Sequence, residues 1–308
     1  MDKAKYIWMN GVLTPWDEAK VHVLTHTLHY GNGAIEGTKA YKTVDGRCAI
    51  FKLQEHTQRL LNSSKMTLMD VPYTLEELND AQIKLLQENE LFDGAYIRPL
   101  VYLGYGVMGL YHKDAPVETA VAAWEWGAYL GEEGMRKGIR LKIVSMTRPA
   151  NTSNMGKAKA TANYLNSQMA KYEAIDAGYD EALLLDDQGY VAEASGASFF
   201  MIKDKEIITP PSDNALASIT QKMVIEMATD MGYKVTRRRI TREEVYVADE
   251  AFLTGTAAEI TPIALVDARE IGCGSRGEIT AIIQSEYFDI VFGRNKKYEH
   301  YLTYVDAV

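Results

Sequence analysis

The chain is poor in cysteine. Its 308 residues hold only Cys48 and Cys273, too few for a disulfide framework or a zinc quartet. Positive charge is also short. There are 33 Lys and Arg against 42 Asp and Glu, and the formal net charge of −9 argues against nucleic acid or anionic membrane as a partner. The Arg237–Arg238–Arg239 run is a local exception and reads as a solvated strand edge. No apolar run is long enough to span a membrane, and the first residues carry no charged-then-apolar leader, so a cytoplasmic location is expected. Repeats and low-complexity tracts are absent. What remains is a globular balance of 47% hydrophobic and 24% charged residues, in a chain long enough for one large or two medium domains.

The element pattern points to two mixed domains. TLEELNDAQIKLLQENEL carries a Thr74–Glu77 capping box ahead of an apolar stripe, which predicts a helix. AYIRPLVYL from Ala95 and ETAVAAWEW from Glu118 read as strands. Gly127 to Gly138 is rich in glycine and charge without periodicity, the best linker candidate. The expected division is therefore 1–127, a linker at 128–137, and 138–308. The second part reads as strand IRLKIVSMT, helix YLNSQMAKYEAIDAG, then strands around a DDQG turn and a KDK turn. Two α/β domains with an active site between them fit this order.

Candidate chemistry lies in five segments. GKAKATANYL offers Lys157 or Lys159 among small residues, with Tyr164 beyond, and YVAEASGASFF offers Glu193. A lysine able to form a Schiff base and a carboxylate able to pair with a pyridinium nitrogen are what pyridoxal 5'-phosphate (PLP) asks of a protein. Taken singly, either residue is also an ordinary solvated charge. Ala215 to Gly232 reads as a helix with Ser218 and Gln221 at capping-box spacing, which leaves the N–H groups of Ile219 and Thr220 for a phosphate. TGTAAEITP adds a small-residue turn with the Thr256 hydroxyl, an anion nest or a plain tight turn. In AYIRPL, strand alternation puts Tyr96 and Arg98 on one face, a pairing suited to a carboxylate. His22, His26 and His29 would share one face of a helix, but KVHVLTHTL reads as a strand entering a turn, which spreads them. No metal site is expected.

Read in order, YIWMNG, KVHVLTHTLHYGNGAIEG, EHTQRL, AYIRPLVYLG, WEWGAYLG, AKATANYL, ALASIT and VADEAFLTGTAAEITPI span nearly the whole chain. With these motifs the chain resembles the class IV, fold-type IV PLP aminotransferases, and among them the bacterial branched-chain amino acid aminotransferases. The resemblance implies an α/β (α+β) fold with a smaller N-terminal α/β domain, a larger C-terminal pseudo-barrel domain and PLP between them. Through AKA-x-x-NY it selects Lys159 as the catalytic lysine. It assigns Arg59, Ile219, Thr220 and Thr256 to the phosphate, Leu216 to the ring face, Tyr164 to the ring 3-oxygen and Glu193 to the ring nitrogen. Tyr96, with the N–H groups of Thr256 and Ala257, would take the substrate α-carboxylate. Arg98, with Tyr30 and Tyr129, would take the distal carboxylate of glutamate. Ile35, Val107 and Met108 join Tyr30, Tyr129 and Tyr164 in an apolar wall, Val107 and Met108 reaching across a subunit interface.

The implied activity is reversible, ping-pong amino transfer from L-leucine, L-isoleucine or L-valine to 2-oxoglutarate, in a dimer or a dimer-based hexamer whose partners are amino acids and 2-oxo acids. Runners-up are a D-amino acid or (R)-amine transaminase, an aminodeoxychorismate lyase, and a non-catalytic binding protein on the same fold. Four departures stand out. Ile35 replaces an aromatic, Thr161–Ala162 replace glycines, Ser198 replaces an Asn, and Gln221 replaces a basic residue. No catalytic group is lost, but the substrate range stays open, and the smaller Ile35 is expected to widen the pocket.

Overall fold

A computed structural model places residues 3–127 and 130–306. Contacts divide the chain into two compact units. The first comprises Met1–Trp126, Ala158–Ala162 and Asp289–Val308; the second comprises Gly127–Lys157 and Asn163–Phe288.

The first unit opens with β1 (Tyr6–Met9) and β2 (Val12–Pro15), then helix α1 (His26–Tyr30), β3 (Gly33–Ile35), β4 (Thr38–Lys42) and β5 (Cys48–Phe51). Helices α2 (Leu53–Met66) and α3 (Leu75–Glu88) follow, then β6 (Gly94–Leu103) and β7 (Val117–Trp124). Asn10–Gly11 turns β1 into β2 with φ of 47° and 91°, the left-handed pair that a two-residue hairpin demands. The Thr74 side chain accepts from the Glu77 N–H while the Glu77 carboxylate accepts from the Thr74 N–H, so the predicted capping box starts α3. That helix buries Leu78, Ala81, Leu85 and Leu86, one stripe at helical spacing. Along β6, Ala95, Ile97, Val101 and Leu103 join the core with α2 and α3 residues. Alternation leaves Tyr96 and Arg98 on the opposite face.

The second unit runs α4 (Glu132–Lys137), β8 (Ile139–Thr147), α5 (Tyr164–Asp176), β9 (Glu181–Leu185), β10 (Val191–Ala194), β11 (Ser198–Lys203) and β12 (Glu206–Thr209). It continues with α6 (Ile219–Asp230), β13 (Val235–Arg237), α7 (Arg242–Tyr246), β14 (Glu250–Gly255), β15 (Glu259–Val266), β16 (Arg269–Glu270) and α8 (Glu278–Val291), whose last residues pass into the first unit. The order is β10-β9-β8-β15-β14-β11-β12-β13, with β16 on β15. β8 pairs in parallel with β9 and β15, and β12 with β13, so this sheet is mixed. Its core includes Leu141, Leu183, Phe199, Met201 and Leu253. The arginine run lies at the sheet's β13 edge, where Arg238 pairs with Glu244 at 2.7 Å. Part of the expected linker is helical. In α4, Glu132 and Glu133 occupy the first turn and Arg136 and Lys137 the last, the order that complements a helix dipole.

The chain ends in β17 (Leu302–Val305), which returns to pair with β5. The smaller sheet reads β17-β5-β4-β6-β7-β1-β2, with β3 on β6. All of β5 is buried, so without β17 its apolar strand would be an open edge. For that reason Asp289–Val308 group with the first unit, where the sequence reading ran 138–308 as one piece. KVHVLTHTL also differs from its reading. It forms no strand, and α1 starts at His26 and stops at Gly31, whose φ of 73° is a left-handed helix stop.

Candidate active site

In the first unit, Ala158–Ala162 lies against β3. Ala160 bridges Ala34, the Ile35 N–H donates to the Lys159 carbonyl at 3.0 Å, and the Lys159 N–H donates to the Ser63 hydroxyl at 3.0 Å. Ala158 and Ala160 are buried, and their small side chains permit this approach. The Lys159 backbone is thereby held on both sides. Lys159 is half-buried, whereas Lys157 is exposed and falls in the second unit. The Thr161 hydroxyl donates to the Gly31 carbonyl at 2.6 Å, so this departure from the family pattern has a local partner. The Ala162 methyl packs at Gly31, where an added Cβ would stand 3.1 Å from it.

A buried ion-pair cluster stands beside this segment. The Arg59 Nε donates to Glu36 Oε1 at 2.5 Å and its Nη2 to Oε2 at 3.0 Å, while His56 Nδ1 meets Oε2 at 2.8 Å. His56 and Arg59 are three residues apart on α2, hence on one face, and Ser63 continues that face. Glu36 is wholly buried. Burial pushes its carboxyl up, but the Arg59 charge, with hydrogen bonds from His56 and Arg59, outweighs it and holds the group well below the usual carboxylate range. Burial pushes His56 down; Glu36 opposes this, and the charges of Arg59 and Lys159 add to it. The Glu36 carboxylate can only accept, so His56 donates to it through Nδ1–H. The sequence reading gave Glu36 and His56 no role. The only signal was an acid among small residues in AIEGTKAY.

The Tyr96–Arg98 pair stands as alternation predicted. Arg98 Nη2 donates to the Tyr96 hydroxyl at 3.3 Å, and the buried Arg98 Nε has no hydrogen-bond partner among the described residues. An arginine donor without a protein acceptor suits an anionic ligand. Tyr96 packs edge-on against Trp126 with centroids 4.6 Å apart. Gly37 makes room for it, because an added Cβ would fall 1.9 Å from the Tyr96 hydroxyl. Ile35 pairs with Leu100, which shares the Tyr96–Arg98 face. Tyr30 and Met108 are exposed, Val107 packs on the first unit's core, and Tyr129 lies outside the described residues.

The second unit carries the remaining expected residues. Glu193, on β10, is met by Arg148 immediately after β8. Arg148 Nε lies 2.8 Å from Glu193 Oε1 as an ion pair rather than an aligned hydrogen bond. Arg148 also donates to Ser167 at 2.9 Å and to the Ala194 and Ser195 carbonyls at 3.1 and 3.3 Å. The Ser195 hydroxyl in turn donates to the buried Glu181 at 2.6 Å. The sequence reading missed Arg148; a single Arg before Pro149 carries no usable signal.

α6 begins at Ile219, after the Ala215 expected. Ser218 accepts the Gln221 N–H at 3.1 Å. The Gln221 side chain does not complete a capping box, but donates to Thr209 at 2.9 Å and accepts from Ser212 at 3.2 Å. Thr209 donates to the Phe199 carbonyl at 2.8 Å, which places the start of α6 beside the ends of β12 and β11. Thr256–Ala258 connect β14 to β15, and the Ser198–Thr254 pairing puts that turn at the same end of the sheet as the Ser195–Ala197 turn. The first-turn N–H groups of α6, the Ser218 and Thr220 hydroxyls 3.0 Å apart, and the Thr256 turn thus gather where an anion could be held. Tyr164 starts α5, and both it and Leu216 are half-buried. Ser198 is buried at the start of β11.

The strand expected to spread the histidines is not formed; His26 and His29 stand one turn apart on α1, and each of the three has its own partner. His26 is buried with Nε2 2.8 Å from the Gly109 carbonyl, His29 Nε2 lies 2.9 Å from the Val23 carbonyl, and His22 Nδ1 accepts the Leu24 N–H at 3.1 Å. Among the described residues, no group of three or more His, Cys, Asp or Glu could hold a metal ion. No helix is long and apolar enough to cross a membrane, again among the described residues.

Residues 33–266 match the family described as Amino-transferase class IV. A branched-chain-amino-acid aminotransferase of Pseudomonas aeruginosa is 47% identical over 304 residues, covering 99% of this chain and 98% of its own. A solved branched-chain amino acid aminotransferase from T.th., complexed with N-(5'-phosphopyridoxyl)-L-glutamate, has a TM-score of 0.95 at 45% identity, covering 99% of this chain and 100% of its own. Another, from Thermoproteus uzoniensis with norvaline, has a TM-score of 0.94 at 41% identity, with coverage of 99% and 100%. The chain belongs to the class IV aminotransferases.

Proposed function

We propose that this chain is a PLP-dependent branched-chain amino acid transaminase, moving the amino group of L-leucine, L-isoleucine or L-valine to 2-oxoglutarate. The observation that carries the chemistry is Lys159, half-buried and held through both backbone groups in the unit that also presents Arg59, Tyr96 and Arg98. The residues fit PLP. There is an amine for its carbonyl carbon, an anchored carboxylate in Glu193 for its ring nitrogen, and a guanidinium with helix and turn N–H groups for its phosphate. Bound PLP supplies the electron sink that makes an amino acid's Cα proton labile.

The residues divide the work. Lys159, when its amine is neutral, accepts the Cα proton and returns it. Glu193 holds a proton at the ring nitrogen, and Tyr164 donates to the ring 3-oxygen. Arg59, Ile219, Thr220 and Thr256 hold the phosphate, with Leu216 against the ring. Tyr96 and the N–H groups of Thr256 and Ala257 orient the α-carboxylate. Arg98, with Tyr30 and Tyr129, receives the distal carboxylate of glutamate. Ile35, Val107 and Met108 shape the apolar wall.

The test is the visible absorption spectrum of the purified protein before and after L-leucine. A yellow band that bleaches with leucine, and is missing in Lys159→Ala, is the expected result. A yellow protein that answers only a D-amino acid or an (R)-amine moves the substrate assignment. A colourless protein that takes up no PLP ends it. A cytoplasmic homo-oligomer, dimer or dimer-based hexamer, is part of the same proposal. Leu28, Tyr30, Tyr105, Leu110 and Tyr111 are large exposed hydrophobics of the first unit, which supports a subunit contact. Light scattering should give a multiple of 34.4 kDa; the monomer mass would count against it.

A further inference from the structure

Glu36 and His56 lie outside every role assigned above, yet both are buried ionisable groups, and Glu36 pairs with Arg59, which the proposed site uses. Buried carboxylates are rare unless they do something for their partners. The partner here is Arg59. Two parallel N–H···O bonds to Glu36 lock the guanidinium plane, and His56 holds the carboxylate at Oε2, the oxygen that also takes Arg59 Nη2. Helix α2 carries Arg59 and His56 one turn apart, and one turn further its Ser63 accepts the Lys159 N–H.

We propose that Glu36, braced by His56, is a positioning residue that orients Arg59 toward the phosphate of PLP. On this view α2 is one rigid block setting both the phosphate grip and the lysine backbone. The inference rests on the reading of Arg59 as a phosphate contact. On charge alone, removing an anion beside Arg59 strengthens attraction for a phosphate. If positioning dominates, removing it weakens binding, because the guanidinium is no longer preorganised.

The experiment measures dissociation constants of the apoprotein for PLP and for pyridoxal, which lacks the phosphate. The proteins are wild type, Glu36→Gln, Arg59→Met and the double variant. The expected result is that Glu36→Gln binds PLP about tenfold more weakly, equivalent to losing one good hydrogen-bonded contact, with pyridoxal affinity unchanged. The double variant should be no weaker than Arg59→Met. If Glu36→Gln binds PLP as well as wild type or more tightly while Arg59→Met binds it weakly, the inference is overturned and the phosphate reading stands. If Arg59→Met binds PLP normally, the phosphate reading itself has failed. Equal losses for PLP and pyridoxal, or additive losses in the double variant, would show that Glu36 acts elsewhere and also overturn the inference. Should Glu36→Gln not fold by circular dichroism, His56→Leu and His56→Asn carry the test. The leucine variant should weaken PLP alone, and asparagine, which keeps a donor, should restore it. A leucine variant that binds PLP normally overturns the inference.

Discussion

At the residue scale, Glu193 and the Lys159 backbone rest on partners remote in sequence, Arg148 and Ser63. Glu193 is met by Arg148, whose other donors go to Asn166, Ser167 and two backbone carbonyls, so the guanidinium is anchored independently of that carboxylate. Arg148→Met should therefore leave Glu193 present but misaligned. On the proposed pairing of Glu193 with the ring nitrogen, the expected outcome is a loss in kcat of about tenfold or more with a smaller change in KM for leucine, since alignment there matters most as charge develops. Steady-state kinetics on Arg148→Met, Glu193→Gln and the double variant would check it. A double variant no worse than Glu193→Gln is expected, and an unchanged kcat in Arg148→Met would remove Arg148 from the site. The sequence made some of this legible. Strand alternation alone put Tyr96 and Arg98 side by side, because a two-residue period is a local property. Arg148, Glu36 and His56 stayed hidden, because an ion pair made across a fold leaves no mark on spacing.

At the element scale, the elements that read most clearly were those whose ends are written locally. Thr74 and Glu77 form the capping box seen in the sequence, and α3 starts where it should. The same spacing at Ser218 and Gln221 was only half right. The Ser218 cap is made, but Gln221 finds Thr209 and Ser212, acceptor and donor brought in by β12 and the chain after it. A tertiary partner outcompetes the local one, and the shape of the proposed anion seat depends on that outcome. KVHVLTHTL failed for a related reason. Its β-branched residues favour a strand, yet Val21 and Val23 are exposed, and no neighbouring strand takes them up among the described residues. α4 was missed because a one-and-a-half-turn helix in a glycine-bounded, charged stretch has too few residues to display a period.

At the scale of the whole molecule, sequence order and contact order part company, since Ala158–Ala162 and Asp289–Val308 join residues 1–126. No local pattern announces that kind of return. The first unit then closes around a buried acid and a buried histidine, and their titration should show in its stability. Both are depressed in the folded state, Glu36 by Arg59 and His56 against the cost of its burial, and His56 by burial with the charges of Arg59 and Lys159. An unfolded chain binds a proton on histidine below about pH 6.5 and on glutamate below about pH 4.3. Across both windows the unfolded state holds more protons than the folded one, so stability rises with pH and is lost as pH falls. The loss should begin as His56 becomes protonated only in the unfolded chain and deepen through the carboxylate range. Calorimetry of the apoprotein at constant ionic strength should show the unfolding midpoint falling by on the order of a few degrees between pH 7 and 5, and further below. His56→Asn keeps a donor for Glu36 but cannot titrate. It should flatten the upper part of that decline and keep the lower part. A variant profile parallel to wild type would mean that the upper limb belongs to another group, and that His56 braces Glu36 without contributing to the pH dependence.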